Sequence, residues 1–169
     1  MATWSGIRRK LECEYLADSL RGRVRYFATT YRESHDQEGR AAIIVDGKEV
    51  LKGNFYNYWL KNHLLPKDDT RYNSFEFDVM DETALDLGMF DQRSFYRSFA
   101  EFDNQPIEKS LVSENLLVRI FAILDRRVGK RRLLALKHQV ESEPEILQFF
   151  YYMRAEAENI VVPKRATKD

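Results

Sequence analysis

The segment Ala41-Ala42-Ile43-Ile44-Val45-Asp46-Gly47-Lys48-Glu49-Val50-Leu51-Lys52 decides the fold class. An apolar, β-forming run meets Asp-Gly, and a second run returns from it. Both central positions of a type I′ hairpin turn need positive φ, which Asp-Gly supplies at low cost. Two antiparallel strands are therefore expected, at 41–45 and 48–52. Upstream, Arg23 to Tyr31 is rich in β-formers and reads as another strand, joined through a polar loop at 34–39. Earlier still, Thr3 or Ser5 can cap a helix with Trp4, Ile7, Leu11 and Tyr15 on one face and Arg8, Arg9 and Lys10 on another. After Gly53-Asn54, residues 55–65 read as helix until Pro66 stops it. The first third is thus α-β-β-β-α, a small meander whose single apolar face must be covered by helix.

Downstream the period changes from two to three and four. Residues 66–80 are irregular and read as a link. Asp81 to Met89 and Asp91 to Phe102 read as short helices, and Asn104-Gln105-Pro106 breaks the second. Ser113-Glu114-Asn115 then precedes a wide apolar face from Leu116 to Leu124. Ser142-Glu143-Pro144 introduces Ile146, Leu147, Phe149, Phe150 and Met153. The two runs align at a spacing of 29: Ser113 falls on Ser142, Ile120 on Phe149 and Phe121 on Phe150. That period resembles the shorter HEAT-like helical repeats, in at most one and a half copies, and implies a helical-hairpin packing unit. The expected class is therefore α+β. It comprises a meander unit at 1–65, a link at 66–80, a helical unit at 81–160 sharing its core, and a frayed tail at 161–169.

Bulk numbers bound the function. The 169 residues carry 27 cations and 27 acids, a net charge of zero that predicts no global pull toward nucleic acid or membrane. The signs are nevertheless segregated. Asp68 to Asp91 holds eight carboxylates and one cation, whereas Arg126 to Lys137 holds six cations and no acid. Cys13 is the single cysteine, which fits a reducing compartment. No apolar run approaches the ~20 residues of a membrane span, and Met1 to Gly6 has no signal-peptide pattern. A cytoplasmic protein without a membrane is the expectation.

Chemistry is sparse. His35, His63 and His138 lie on three elements with no partner at metal-ligand spacing, so neither a metal nor a cofactor is expected. Cys13 reads more readily as a small buried hydrophobe than as a nucleophile. Glu76 and Asp78 alternate on one face of an extended reading, where a solvated edge outweighs acid–base or cation chemistry. No phosphate-cradling glycine loop and no Gly-x-Ser-x-Gly elbow occurs, so no catalytic residue is expected. The α-β-β-β-α order is shared with double-stranded-RNA-binding domains, yet Gly53-Asn54-Phe55-Tyr56 lacks their lysine cluster.

One stretch stands out: Asp125-Arg126-Arg127-Val128-Gly129-Lys130-Arg131-Arg132-Leu133. Gly129 is expected in a left-handed conformation, ending one helix so that another can begin. Arg126, Arg127, Lys130, Arg131 and Arg132 would gather at this corner, where new helical N–H groups attract anions. Solvation and ion pairing, with Asp125 among the partners, are the plain reading. A protein partner of acidic character is the leading functional expectation. Nucleic-acid binding by the same cations, aided by Arg8, Arg9 and Lys10, is the first alternative. An enzyme with an anion site near Gly129 and Lys130 is the second.

Trp4-Ser5, Arg21-Gly22-Arg23-Val24, Thr30-Tyr31-Arg32, Val45-Asp46-Gly47-Lys48-Glu49-Val50 and the corner itself together resemble a family of small cytoplasmic bacterial proteins of unknown function. The resemblance covers the first sixty-odd residues and about Ile107 to Arg154. It implies a bacterial origin and one compact unit, and it brings no activity, cofactor or catalytic residue with it.

Overall fold

A computed structural model describes residues 3–30, 39–53, 90 and 92–160. The expected helices at 55–65 and 81–89, the link, the acidic segment apart from Phe90, the tail, His35, His63, Glu76 and Asp78 lie outside the described residues.

Thr3 caps α1 (Trp4–Arg9), its Oγ1 accepting from the Gly6 N–H at 3.3 Å. The helix then widens to π geometry over Lys10–Tyr15, closing with the Leu16 N–H on the Leu11 carbonyl at 3.1 Å. Ile7 and Leu11, four residues apart on one face, are both buried in the core. Strands β1 (Val24–Thr30), β2 (Gly39–Val45) and β3 (Lys48–Gly53) form an antiparallel meander in sequence order. Asp46 and Gly47 have φ of 49° and 81°, the two positive values the hairpin requires. Ile43 faces Leu51 and Ile44 faces Glu49, so Val50 is the extra residue of a bulge.

Alternation along β1 puts Val24, Tyr26 and Ala28 inward and Arg25 and Phe27 outward. The inward face is covered by α2 (Gln92–Asp103), whose Phe95, Phe99 and Phe102 recur at helical spacing. Aromatic edges join the layers: Phe95 meets Trp4 at 5.8 Å, Tyr26 at 6.1 Å and Phe121 at 5.5 Å. Gly53 is obligatory, because a Cβ there would lie 2.1 Å from the Phe90 nitrogen.

After the short α3 (Ile107–Ser110), Asn115 caps α4 (Leu116–Leu124), its side chain accepting from the Leu117 and Val118 N–H groups. Every residue of α4 except Arg119 is buried, which makes it the central rod of the core. Helices α5 (Lys130–Val140) and α6 (Glu145–Ala157) form a hairpin, and α4 packs on α6 and α2. The class is α+β, as expected, and one continuous buried cluster runs from Ile7 through the sheet to Met153. The spacing of 29 carries into paired helices but not into their starts. Ser113 donates to Glu101 at 2.5 Å, whereas Ser142 donates to the Gln139 carbonyl at 2.8 Å. Ile120 is fully buried, while its counterpart Phe149 is 43 % exposed.

Candidate functional site: the basic corner

The corner between α4 and α5 is held from within. Asp125 is fully buried, and a bare carboxylate there would be costly without compensating donors. Arg127 supplies them: its backbone N–H reaches Oδ1 at 2.7 Å, and its Nε and terminal nitrogen bind the carboxylate at 3.0 and 2.6 Å. The same guanidinium lies over the rings of Tyr15 and Phe102, 4.8 and 5.5 Å from their centroids. The bond to Asp125 holds Arg127 above the usual arginine value.

Arg154 completes the frame from α6. Only 2 % exposed, it donates to the carbonyls of Ile123, Asp125 and Val128 at 2.9–3.0 Å, and its Nε reaches Glu158 at 2.9 Å. Those carbonyls end a helix and follow it, beyond the reach of further helical N–H groups; of the three, the Asp125 carbonyl also accepts from the Val128 N–H at 3.1 Å. Burial pulls Arg154 below the ordinary arginine value, while Glu158 opposes that shift. Glu158 also accepts from Ser19 at 2.7 Å, tying α6 to the turn before β1. A single antiparallel bridge adds backbone: Ala17 N–H to the Leu124 carbonyl at 2.9 Å, and Arg126 N–H to the Tyr15 carbonyl at 2.7 Å.

A second cluster adjoins it. Asp103 accepts from Lys10 at 2.8 and 2.9 Å and from the Tyr15 hydroxyl at 2.6 Å. Burial alone would raise Asp103, but the Lys10 and Tyr15 hydrogen bonds outweigh it and hold the carboxyl low. Burial, followed by the bond to Asp103, pushes Tyr15 up to about 12.

The five expected binding cations therefore divide. Arg127 is bound to Asp125, and Arg132 reaches Glu108 at 3.1 Å. Arg126, Lys130 and Arg131 are exposed and form no ion pair among the described residues. Gly129 departs from expectation. Its φ of −79° and ψ of 170° are extended backbone, and it precedes α5 as an N-cap without a side-chain bond. The turn needs no left-handed residue because Asp125 already ends α4 in extended geometry. Cys13 also departs from expectation, being exposed where a buried hydrophobe was foreseen, because two residues beyond the buried Leu11 a helix presents its opposite face. His138 is exposed, 3.8 Å from Glu141. Among the described residues no cluster of His, Cys, Asp and Glu is arranged to hold a metal, and no helix is long and apolar enough to cross a membrane.

Sequence reading missed Arg154, Asp103 and Tyr15 as builders of the corner. Arg154 carried one signal, an arginine inside an otherwise apolar helical face beginning at Ile146, and that placement marks a buried cation with partners.

Architecture and corner together define a small α+β protein with an internally braced cationic bend. The chain belongs to the SF0329 protein family, whose family model matches residues 3–155. That match runs through the stretch between the meander and Ile107, which the resemblance read from the motifs had left out. No curated protein and no solved structure matches the chain.

Proposed function

We propose that this is a non-catalytic interaction protein of the bacterial cytoplasm, and that it receives an acidic protein partner at the basic corner. Arg126, Lys130 and Arg131 make the contact, while Arg127 and Arg132 stand behind them in bonds to Asp125 and Glu108. One observation carries the reading: the corner is fixed by buried partners, yet three of its cations are left to solvent. A preorganised charge loses little freedom on binding, so its attraction to an acid is less offset by entropy. Leu134 follows Arg131 by three residues and is 51 % exposed, which gives the face an apolar contact beside its charges.

The test is retention on immobilised protein at about physiological ionic strength. Wild type is expected to hold a specific acidic protein, and the triple variant Arg126→Glu, Lys130→Glu, Arg131→Glu to lose it while keeping its circular dichroism. Equal retention by both proteins contradicts the proposal. Retention only of RNA or DNA, falling steeply with salt, transfers the corner to the nucleic-acid reading.

A further inference from the structure

A second cationic feature lies away from the corner. A cleft of about 380 Å³ opens beside the outer edge of β1, lined by Arg8, Glu12, Cys13, Arg21, Val24 and Arg25. Its shape follows from two local devices. The π-helical turn carries Glu12 against the strand edge, where its Oε1 accepts the Tyr26 N–H at 2.8 Å. Gly22, with φ of 79°, takes the position of a tight turn that demands a left-handed residue, closed by the Arg23 N–H on the Leu20 carbonyl at 3.0 Å. Arg21, on that reversal, and Arg25, on β1, line the same cleft. Nothing lies within 4 Å of a Cβ built on Gly22, so the mouth stays open.

The cleft's charges are unequal. Glu12 is its one lining carboxylate, and it is already engaged by Tyr26 and by the Arg8 Nε at 3.1 Å. Arg21 spends one terminal nitrogen on Asp18 at 3.0 Å and the Cys13 carbonyl at 3.3 Å. A guanidinium carries five N–H donors, so Arg8 and Arg21 each keep several. Arg25 forms no ion pair among the described residues.

We infer that this cleft is a binding site for a small phosphate- or pyrophosphate-bearing molecule, held by Arg8, Arg21 and Arg25. Forked guanidinium donors match phosphate oxygens in geometry and charge. The volume falls within the range of small-molecule sites.

Cys13, the chain's single cysteine, is exposed on the cleft wall and serves as the reporter. At low salt an anionic thiosulfonate is expected to label Cys13 at least about threefold faster than a cationic one, each rate normalised to free cysteine. Inorganic pyrophosphate at matched ionic strength should slow labelling of wild type. Arg25→Ser should lose both the charge preference and the protection, with unchanged circular dichroism. Arg21→Ser should weaken both, and the corner's triple variant should retain both. Equal rates for the two reagents, or rates indifferent to pyrophosphate, overturn the inference. Protection by a single-stranded oligonucleotide but not by pyrophosphate also overturns it, because a polynucleotide would then be the occupant.

Discussion

Two chain reversals in this molecule are built by opposite means. At Asp46-Gly47 the backbone does the work: two positive φ values turn β2 into β3, and no Cβ on Gly47 would meet an atom within 4 Å. At Asp125–Gly129 no residue takes a positive φ, and groups from distant segments join a local ion pair to hold the bend. Arg154 comes from α6, Tyr15 from the N-terminal segment and Arg127 from the bend itself. The first turn is local and would persist in many contexts. The second exists only once the core has assembled, so its outward charges are positioned by tertiary structure.

The contrast can be broken most severely at Arg154. Arg154→Leu strands the Ile123 and Val128 carbonyls, leaves the Asp125 carbonyl with the Val128 N–H alone and Glu158 with Ser19 alone, and a loss of about 3–5 kcal/mol is expected in urea unfolding. A loss under about 1 kcal/mol would show that the carbonyls find other donors. The hairpin should respond more mildly. Gly47→Ala introduces conformational strain without a clash, costing about 1–2 kcal/mol by the same measurement.

A smaller effect separates the two regions by pH. Tyr15 is raised in the folded protein, so its contribution is fully present below the ordinary value of 10 and fades as pH rises toward about 12. Asp103 is lowered, so its contribution is present above the ordinary carboxylate value and fades as pH falls through the lowered one. Tyr15→Phe should flatten the alkaline arm of the stability profile, and Lys10→Met the acid arm. The hairpin variant Gly47→Ala should leave the shape of both arms intact. The smallest change is at the start of α5. Gly129→Ser adds a capping hydroxyl where nothing obstructs a Cβ, with an expected gain of a few tenths of a kcal/mol.

The same contrast explains what could be read from the residues. The hairpin and the strands follow from neighbours within a few positions and lie where the pattern put them, and of the two caps offered at the first helix, Thr3 or Ser5, Thr3 is the one used; the Asn115 cap went unread. The cations of the corner were legible as a cluster, but their division was not. Arg132 looks like Arg131 in sequence, and only the fold brings Glu108 to one and leaves the other to solvent. Gly129 misled because glycine beside a helix suggests a left-handed stop, whereas Asp125 had already ended α4. Asp103 lies 93 residues from Lys10, a pairing that no local period encodes.

Unfolding free energies of two variants test the division of the corner most directly. The triple variant Arg126→Ala, Lys130→Ala, Arg131→Ala should stay within about 0.5 kcal/mol of wild type, as surface changes do. Arg127→Ala, which abandons the buried Asp125, should lose about 3 kcal/mol or more. Equal losses in the two would mean that the outward cations belong to the frame, and the corner would have no charge to spare for a partner.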